Sequence, residues 1–355
     1  GGKTFQRMGL DDTDRISRVV VDPRDGKHVC VAALGSLYSV TGRRGVFCSK
    51  DDGASWSQVL AGDTPTTGAI DLVVDAKDPA TMYAAMWDRS RTPWNLVETG
   101  RGSGIYKSTD GGRSWNRLAG GFPQGDKVGR IGLAVSASNP SVVYASVDDW
   151  NALPASLIDD GDRPLGLKTL KRMSKDEFLR QDPDEVETFL RNEDLDTSLD
   201  AAGLIAKVKS GEVTMADLVA KLEAKDTGFG AVDIWGHSVW RSDDAGATWH
   251  RTHETPIREL TYTYGYYFGQ IRVAPDDPER IYVVGVPIAT SADGGRTFTS
   301  LQRSGVHPDY HAWWIDPNDA RRMVVGNDGG LDISYDGGKS WLKLDAQPVG
   351  QFYTV

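Results

Sequence analysis

The sequence predicts an all-β chain, a β-propeller built from four-stranded blades. Three observations predict it: a recurring octapeptide, a pair of apolar runs before each copy, and the combination of 40 glycines with 11 tryptophans. Many tight turns, each with a large aromatic ring beside it, would use both residue types. The octapeptide is Ser-x-Asp-x-Gly-x-Ser/Thr-Trp/Phe, starting at Ser49, Ser108, Ser242, Ser291 and Ser334. A sixth copy, Gly1-Gly2-Lys3-Thr4-Phe5, lacks its first half. Self-similarity at about 45 to 60 residues is the spacing of propeller blades.

The octapeptide has the chemistry of a hairpin turn. Its Asp carboxylate can accept hydrogen bonds from the turn's own amides, as in an Asx-turn. Its Gly supplies a positive φ that other residues resist. The hydroxyl closes the loop from the other side, and the aromatic buries a large ring at the next strand. Asp51, Asp110, Asp244, Asp293 and Asp336 are therefore read as structural. A catalytic reading fails on number, because one site has no use for five equivalent acids.

Each octapeptide follows two apolar runs separated by a turn. Val19-Val20-Val21-Asp22-Pro23 leads to Val29-Cys30-Val31-Ala32, and Leu72-Val73-Val74-Asp75 leads to Met82-Tyr83-Ala84-Ala85. Leu133-Ala134-Val135, Ile271-Arg272-Val273 and Trp313-Trp314-Ile315 begin the equivalent pairs further on. Such runs between turn signals read as strands. Each unit thus supplies an inner strand, a second strand, a third ending in the octapeptide, and a fourth starting at its aromatic. Five blades and a partial sixth are recognisable.

The spacing breaks once, between the copies at Ser108 and Ser242. An insertion at 149–232 is expected there, dividing the propeller into 1–148 and 233–355. Its texture is helical. Ser174-Lys175-Asp176-Glu177 is a capping box, and Asp182-Pro183 is an N-cap with proline at the first helical position. Leu204, Ile205 and Val208 have helical spacing and stop at Gly211; Thr214 opens another helix with Leu218, Val219 and Leu222. Such a cap either walls a ligand site or pads against another part of a longer chain.

Charge and composition exclude several classes. The formal net charge of -10 disfavours a phosphate-backbone partner, so no nucleic acid is expected. No run of about 18 apolar residues is present to span a bilayer. No cofactor motif appears: Gly329-Gly330 lacks the Walker lysine and its strand-to-helix context. Cys30 and Cys48 lie in neighbouring strands of one hairpin. A cross-strand bridge is open to them, but the reading taken is two inert core thiols. The acidic stretches Asp11-Asp12-Thr13-Asp14 and Asp159-Asp160-Gly161-Asp162 lack EF-hand spacing and are read as solvated turns. The chain opens inside a partial octapeptide and closes on Gln351-Phe352-Tyr353-Thr354-Val355, which reads as another inner strand. Both ends are expected to be cut from a longer chain, with a second propeller as its remainder.

The sharpest chemical candidate is the fifth blade. In an extended segment His307, Asp309 and His311 would share one face. Two imidazoles and a carboxylate can bind zinc or transfer protons, although a polar network without metal is the preferred reading. Asn327 and Asp328 follow the second strand of that blade. Tyr262, Tyr264, Tyr266, Tyr267 and Phe268 form an aromatic run before the fourth. Trp87, Trp94, Trp150 and Trp235 are expected in longer loops that add to a platform. Arg18, Arg130 and Arg272 lie near starts of inner strands, where they can point to the central channel. The candidate ligand site is therefore His307, Asp309, His311, Asn327, Asp328, Tyr266, Tyr267 and Arg272.

The octapeptides resemble the Asp boxes, or BNR repeats, of sialidases, sortilin-type (Vps10-like) receptors and two-propeller xyloglucanases. Tyr264-Gly265-Tyr266-Tyr267-Phe268-Gly269-Gln270-Ile271-Arg272-Val273, Gly326-Asn327-Asp328-Gly329-Gly330 and Val349-Gly350-Gln351-Phe352-Tyr353 resemble secreted bacterial sortilin-like or glycosyl-hydrolase-like proteins. The resemblance covers essentially the whole chain. It implies a secreted, periplasmic or cell-surface location and a module that binds a glycan or peptide. The alternative it implies is a glycoside hydrolase, xyloglucanase-like, with carboxylates at the propeller cleft. The Phe/Tyr-Arg-Ile-Pro element of sialidases is absent, and no Tyr/Glu nucleophile pair is identifiable.

Overall fold

In the computed structural model each pair of apolar runs forms the first two strands of a four-stranded antiparallel sheet. The structure describes residues 3–154, 157, 165–193, 200–225, 234–257, 260, 265–301 and 307–344. The first blade pairs Ile16–Asp22, Asp25–Ala33, Gly45–Ser49 and Ser57–Ala61. The second pairs Thr67–Val74, Met82–Asp88, Gly104–Ser108 and Asn116–Arg117, with a small hairpin, Ser90–Thr92 and Asn95–Val97, set between its second and third strands. The third holds Val128–Val135, Val143–Ala152, Ile234–Ser242 and His250–Arg251. The fourth holds Gln270–Ala274, Asp277–Val284, Ile288–Ser291 and Thr299–Ser300, and the fifth Tyr310–Asp316, Asp319–Asn327, Gly330–Ser334 and Leu342–Leu344. The protein is a five-bladed β-propeller by its described sheets. First strands of consecutive blades pack on one another, so they are the inner strands.

Apolar side chains pack between neighbouring blades rather than in one central core. Leu72, Met82 and Met86 of the second blade meet Cys30, Ala32 and Val46 of the first. Tyr83 and Trp87 meet Ile131, Val143 and Val147 of the third. Tyr144 and Val239 meet Ile271 and Ile281, and Tyr282 and Val284 meet Trp313 and Met323. Burial on both faces explains the near-continuous apolar runs in the second strands.

All five octapeptides make the same turn. In the second, Ser108 Oγ donates to Asp110 Oδ1 at 2.8 Å, Ser114 N to Oδ1 at 2.9 Å and Ser114 Oγ to Oδ2 at 2.6 Å. Gly112, at φ 81°, donates its N–H to Ser108 Oγ. Asp51, Asp244, Asp293 and Asp336 are bonded in the same way. These bonds stabilise the ionised carboxylates. Ser55, Thr248 and Ser340 hold Asp51, Asp244 and Asp336 down at about 2, and Asp110 and Asp293 are lowered further by Ser114 and Thr297. Of the partial copy, Gly1 and Gly2 lie outside the described residues, as do Asp159 to Asp162 and Gln351 to Val355.

The two cysteines correct the sequence reading. Cys30 and Cys48 face each other directly across the second and third strands of the first blade and form a disulfide. Inert thiols were expected because pairing depends on strand register, which a single sequence does not reveal.

The chain divides into two compact units, Gly1–Asn151 with Trp235–Val355, and Ala152–Ile234. The strand leading into the second unit runs to Ala152, past the start at 149 read from the sequence. Within that unit, helices at Leu167–Arg172, Lys175–Phe178, Pro183–Glu193, Ala201–Ser210 and Met215–Lys225 enclose Leu170, Phe178, Val186, Leu204, Val208 and Leu218. Ser174 and Glu177 make the reciprocal capping bonds, and Gly211 ends its helix at φ 83°. Thr214 and Asp217 cap the last helix in the same reciprocal manner. No helix among the described residues is long and apolar enough to cross a membrane.

Candidate functional site

Antiparallel strand order separates two ends of the propeller sheets. The octapeptide turns join third to fourth strands and lie at one end. Loops joining fourth to first strands, and second to third, lie at the other. The candidate residues of the fourth and fifth blades sit at this second end, except Arg272, which lies in the middle of the fourth blade's inner strand.

His311 follows the first residue of the fifth blade's inner strand. Its Nε2 lies 3.0 Å from Asp328 Oδ1. Its ring stacks on Phe268 at 5.2 Å and meets Tyr267 edge-on at 5.0 Å. Gln270 Nε2 donates to the His311 carbonyl at 2.6 Å, locking the fourth blade to the fifth. The loop at 265–269, which carries both aromatics, is held from the third blade: Arg130 Nη1 donates to the carbonyls of Tyr266 and Tyr267 at 3.2 and 2.7 Å. Tyr262 and Tyr264 lie outside the described residues.

The structure regroups the expected triad. Asp309 has φ 65°, so the chain from His307 is not extended and the period of two breaks before the strand begins at Tyr310. His307, Asp309 and Asp328 bring their ligand atoms within 4.8 Å of one another, and His311 joins them through Asp328. His307 Nδ1 is itself engaged with the Pro308 carbonyl at 2.8 Å. The set is one imidazole and two carboxylates in place of two imidazoles and one carboxylate.

Two other candidates hold the scaffold. Asn327 accepts from Gly329 N and donates to the buried Asp332, so its amide shapes the turn that presents Asp328. Arg272 donates to the Trp313 and Ile271 carbonyls and to Gln270 Oε1, each at 2.8 Å. Burial lowers Arg272 and Arg130 to about 10. Arg18 pairs with the buried Asp71 at 2.8 Å, and Asp71 Oδ2 accepts from Leu133 N at 3.0 Å. The inner-strand arginines thus clamp neighbouring blades together.

Beneath this end lies a group that the sequence reading missed. Asp148 Oδ2, Glu98 Oε2, Arg130 Nε and both ring nitrogens of His237 are buried and have no hydrogen-bond partner among the described residues. Asp148 is wrapped by two glycines, since a Cβ at Gly129 or Gly265 would collide with its carboxylate. Burial, then the charge of Glu98, raises Asp148 well above its ordinary value. Burial pushes Glu98 up to about 7 against the pull of Arg91 and Arg89, and drives His237 down to about 3. In sequence the adjacent acids Asp148 and Asp149 close the largely apolar run Val142-Val143-Tyr144-Ala145-Ser146-Val147, which is the local sign of it.

Trp87, Trp150 and Trp235 belong to strands, with Trp87 and Trp235 buried, and so form no platform. Trp94 differs: it is 84% exposed at the tip of the second blade's extra hairpin. Tyr38, 60% exposed, projects from the equivalent loop of the first blade, where the Arg91 guanidinium sits 6.0 Å from its ring. Tyr267 is 59% exposed.

Solved structures similar in fold include GH74 and YCF48 propellers. An ancestral GH74 enzyme aligns with a TM-score of 0.50 at 12% identity, covering 93% of this chain and 32% of that one. At that identity the likeness shows the fold alone. A GH74 xyloglucanase from Xanthomonas campestris aligns at a TM-score of 0.48 and 17% identity over 91% of this chain and 38% of that one. YCF48 from Cyanidioschyzon merolae aligns at 0.42 and 12% over 93% and 70%. The chain spans about a third of the length of these two GH74 proteins. No protein-family model matches the chain, and no curated protein matches it in sequence.

Proposed function

We propose that this propeller is an extracellular or periplasmic binding module that takes a neutral glycan at the end opposite its octapeptide turns. The observation that carries the reading is the placement of exposed aromatic rings. Tyr38, Trp94 and Tyr267 project from loops of three different blades, all at the end that also presents His311, Asp328, His307 and Asp309. Flat rings take the apolar faces of sugars, while carboxylates and imidazoles bond their hydroxyls. A surface with net charge -10 suits a neutral ligand better than an anionic one. Exposed apolar side chains on the inner strand of the first blade (Val19, Val21) and on the fifth blade (Trp314, Leu342) would be covered by further blades of a longer chain.

The test is a panel of neutral oligosaccharides and of peptides, followed by Tyr267→Ala and Trp94→Ala. Each variant is expected to weaken glycan binding at least about tenfold, or 1.4 kcal/mol. Binding of peptides alone, or glycan binding indifferent to both changes, would reject the reading.

A second reading is favoured by one observation, the buried Glu98 and Asp148. A buried carboxyl with raised proton affinity is what glycoside hydrolysis needs for its general acid, beside a second carboxylate that stays ionised. Turnover of a β-glucan that disappears in Glu98→Gln and Asp148→Asn would support it. Turnover retained in both would exclude these acids.

A further inference from the structure

At the other end of the sheets, sulfur and imidazole donors of two blades converge. Cys30 and Cys48 face each other across the first blade. His28 lies two residues before Cys30 and therefore on the same face of its strand. Its Nε2 is 3.6 Å from Cys30 Sγ. The donor atoms of His28, Cys30 and Cys48 all lie within 4.8 Å of one another.

The second blade leaves room for this group and adds to it. A Cβ on Gly112 would sit 3.3 Å from Cys48 Sγ and 3.4 Å from Met82 Sδ, and one on Gly111 would sit 3.6 Å from His28 Cε1. The octapeptide turn of the second blade therefore lies against the cysteine pair, the imidazole and a thioether. The other nitrogen, His28 Nδ1, faces Asp22 Oδ2 at 3.7 Å. A carboxylate behind a histidine is the usual outer partner of an imidazole metal ligand. A cavity of about 390 Å³ lined by Asp22, His28, Lys50, Asp110 and Arg113 reaches His28 from solvent.

We propose that the dithiol form of Cys30 and Cys48, with His28 Nε2, is a binding site for a thiophilic ion, Zn(II) or Cu(I). A tetrahedral ion about 2.05 Å from nitrogen and 2.3 Å from sulfur holds those two atoms about 3.6 Å apart. The observed separation of His28 and Cys30 already matches. Two thiolates and an imidazole suit zinc; the nearby Met82 thioether adds a soft donor that suits Cu(I). The disulfide is the closed state of the site. An external dithiol opens it by two exchange steps, giving two electrons and two protons to the cysteine sulfurs and leaving as its own disulfide. The ion then displaces both thiol protons on binding.

The test uses the full chain, reduced with dithiothreitol, desalted without oxygen and titrated with Zn(II), Co(II) or Cu(I). One equivalent is expected to bind the reduced protein and none the oxidised protein. Sulfur-to-cobalt charge-transfer absorption should appear in the Co(II) arm. His28→Ala should weaken binding at least about tenfold, since loss of even an outer partner of a metal ligand costs about 10- to 100-fold. Met82→Leu should weaken Cu(I) and spare Zn(II) if the thioether is a ligand. Absence of stoichiometric uptake, or equal affinity in His28→Ala, overturns the site. Circular dichroism runs in parallel. If reduction alone unfolds the chain, added zinc should restore the β spectrum in wild type and not in His28→Ala, and failure to restore it overturns the proposal equally.

Discussion

His311 Nε2 sits 3.0 Å from Asp328 Oδ1, tying the first and second strands of the fifth blade together where the loops emerge. Both side chains are partly exposed, and such pairs contribute about 0 to 1 kcal/mol to folding. Asp328→Ala should therefore leave the unfolding midpoint almost unchanged while weakening glycan binding about tenfold, near 1.4 kcal/mol. Calorimetric titration and thermal melts of the same sample read both quantities. A variant that binds as well as wild type removes this pair from the site.

Glu98 makes stability depend on pH. Its proton affinity in the fold is raised from 4.5 to about 7 by burial. The protonated form is the one the fold favours, so this contribution is complete below pH 4.5 and is lost as pH rises through about 7. The loss is on the order of 3 kcal/mol. Urea unfolding at several pH values should show the fall in wild type and a smaller one in Glu98→Gln, where the buried Asp148 remains. A slope undiminished by the substitution assigns it to other groups.

The octapeptide acids act in the opposite sense and at the other end. Asp110 is held ionised by Ser114 and Ser108, so the benefit is present above the ordinary carboxylate value and fades as pH falls through its lowered one. Asp110→Ala should lower the melting temperature by a few degrees with glycan affinity per folded molecule unchanged. Lost binding in a variant of normal stability would contradict the structural role.

Gly132 sets the distance between the third and fourth blades. A Cβ there would collide with the carbonyl of Gly269, which also accepts from Ser146 Oγ at 2.7 Å. Gly269 ends the loop that carries Tyr267. Gly132→Ala should destabilise the propeller by about 1 to 3 kcal/mol and displace that loop, so stability and binding fall together. An alanine variant with wild-type stability would mean that the blades separate freely at this point.

Five blades were legible in the sequence because each octapeptide closes its own turn. Asp110 bonds within four residues, and the fifth residue of the motif is glycine for a local reason. The capping box at Ser174 and the stop at Gly211 were legible on the same grounds. The face shared by His307, Asp309 and His311 was misread because a single positive φ at Asp309 cancels alternation.

By itself the sequence determined the propeller class, the strand pairs and the helical character of the insertion. These follow from hydrogen bonds and periodicities a few residues long. Tertiary structure alone decided which side chains meet. Arg130 reaches the Tyr267 carbonyl across 137 residues, and Glu98 and Asp148 come from different blades to one buried region. Cys30 meets Cys48 only through strand register. Such contacts depend on how blades pack and how strands align, and neither leaves a local mark in the chain.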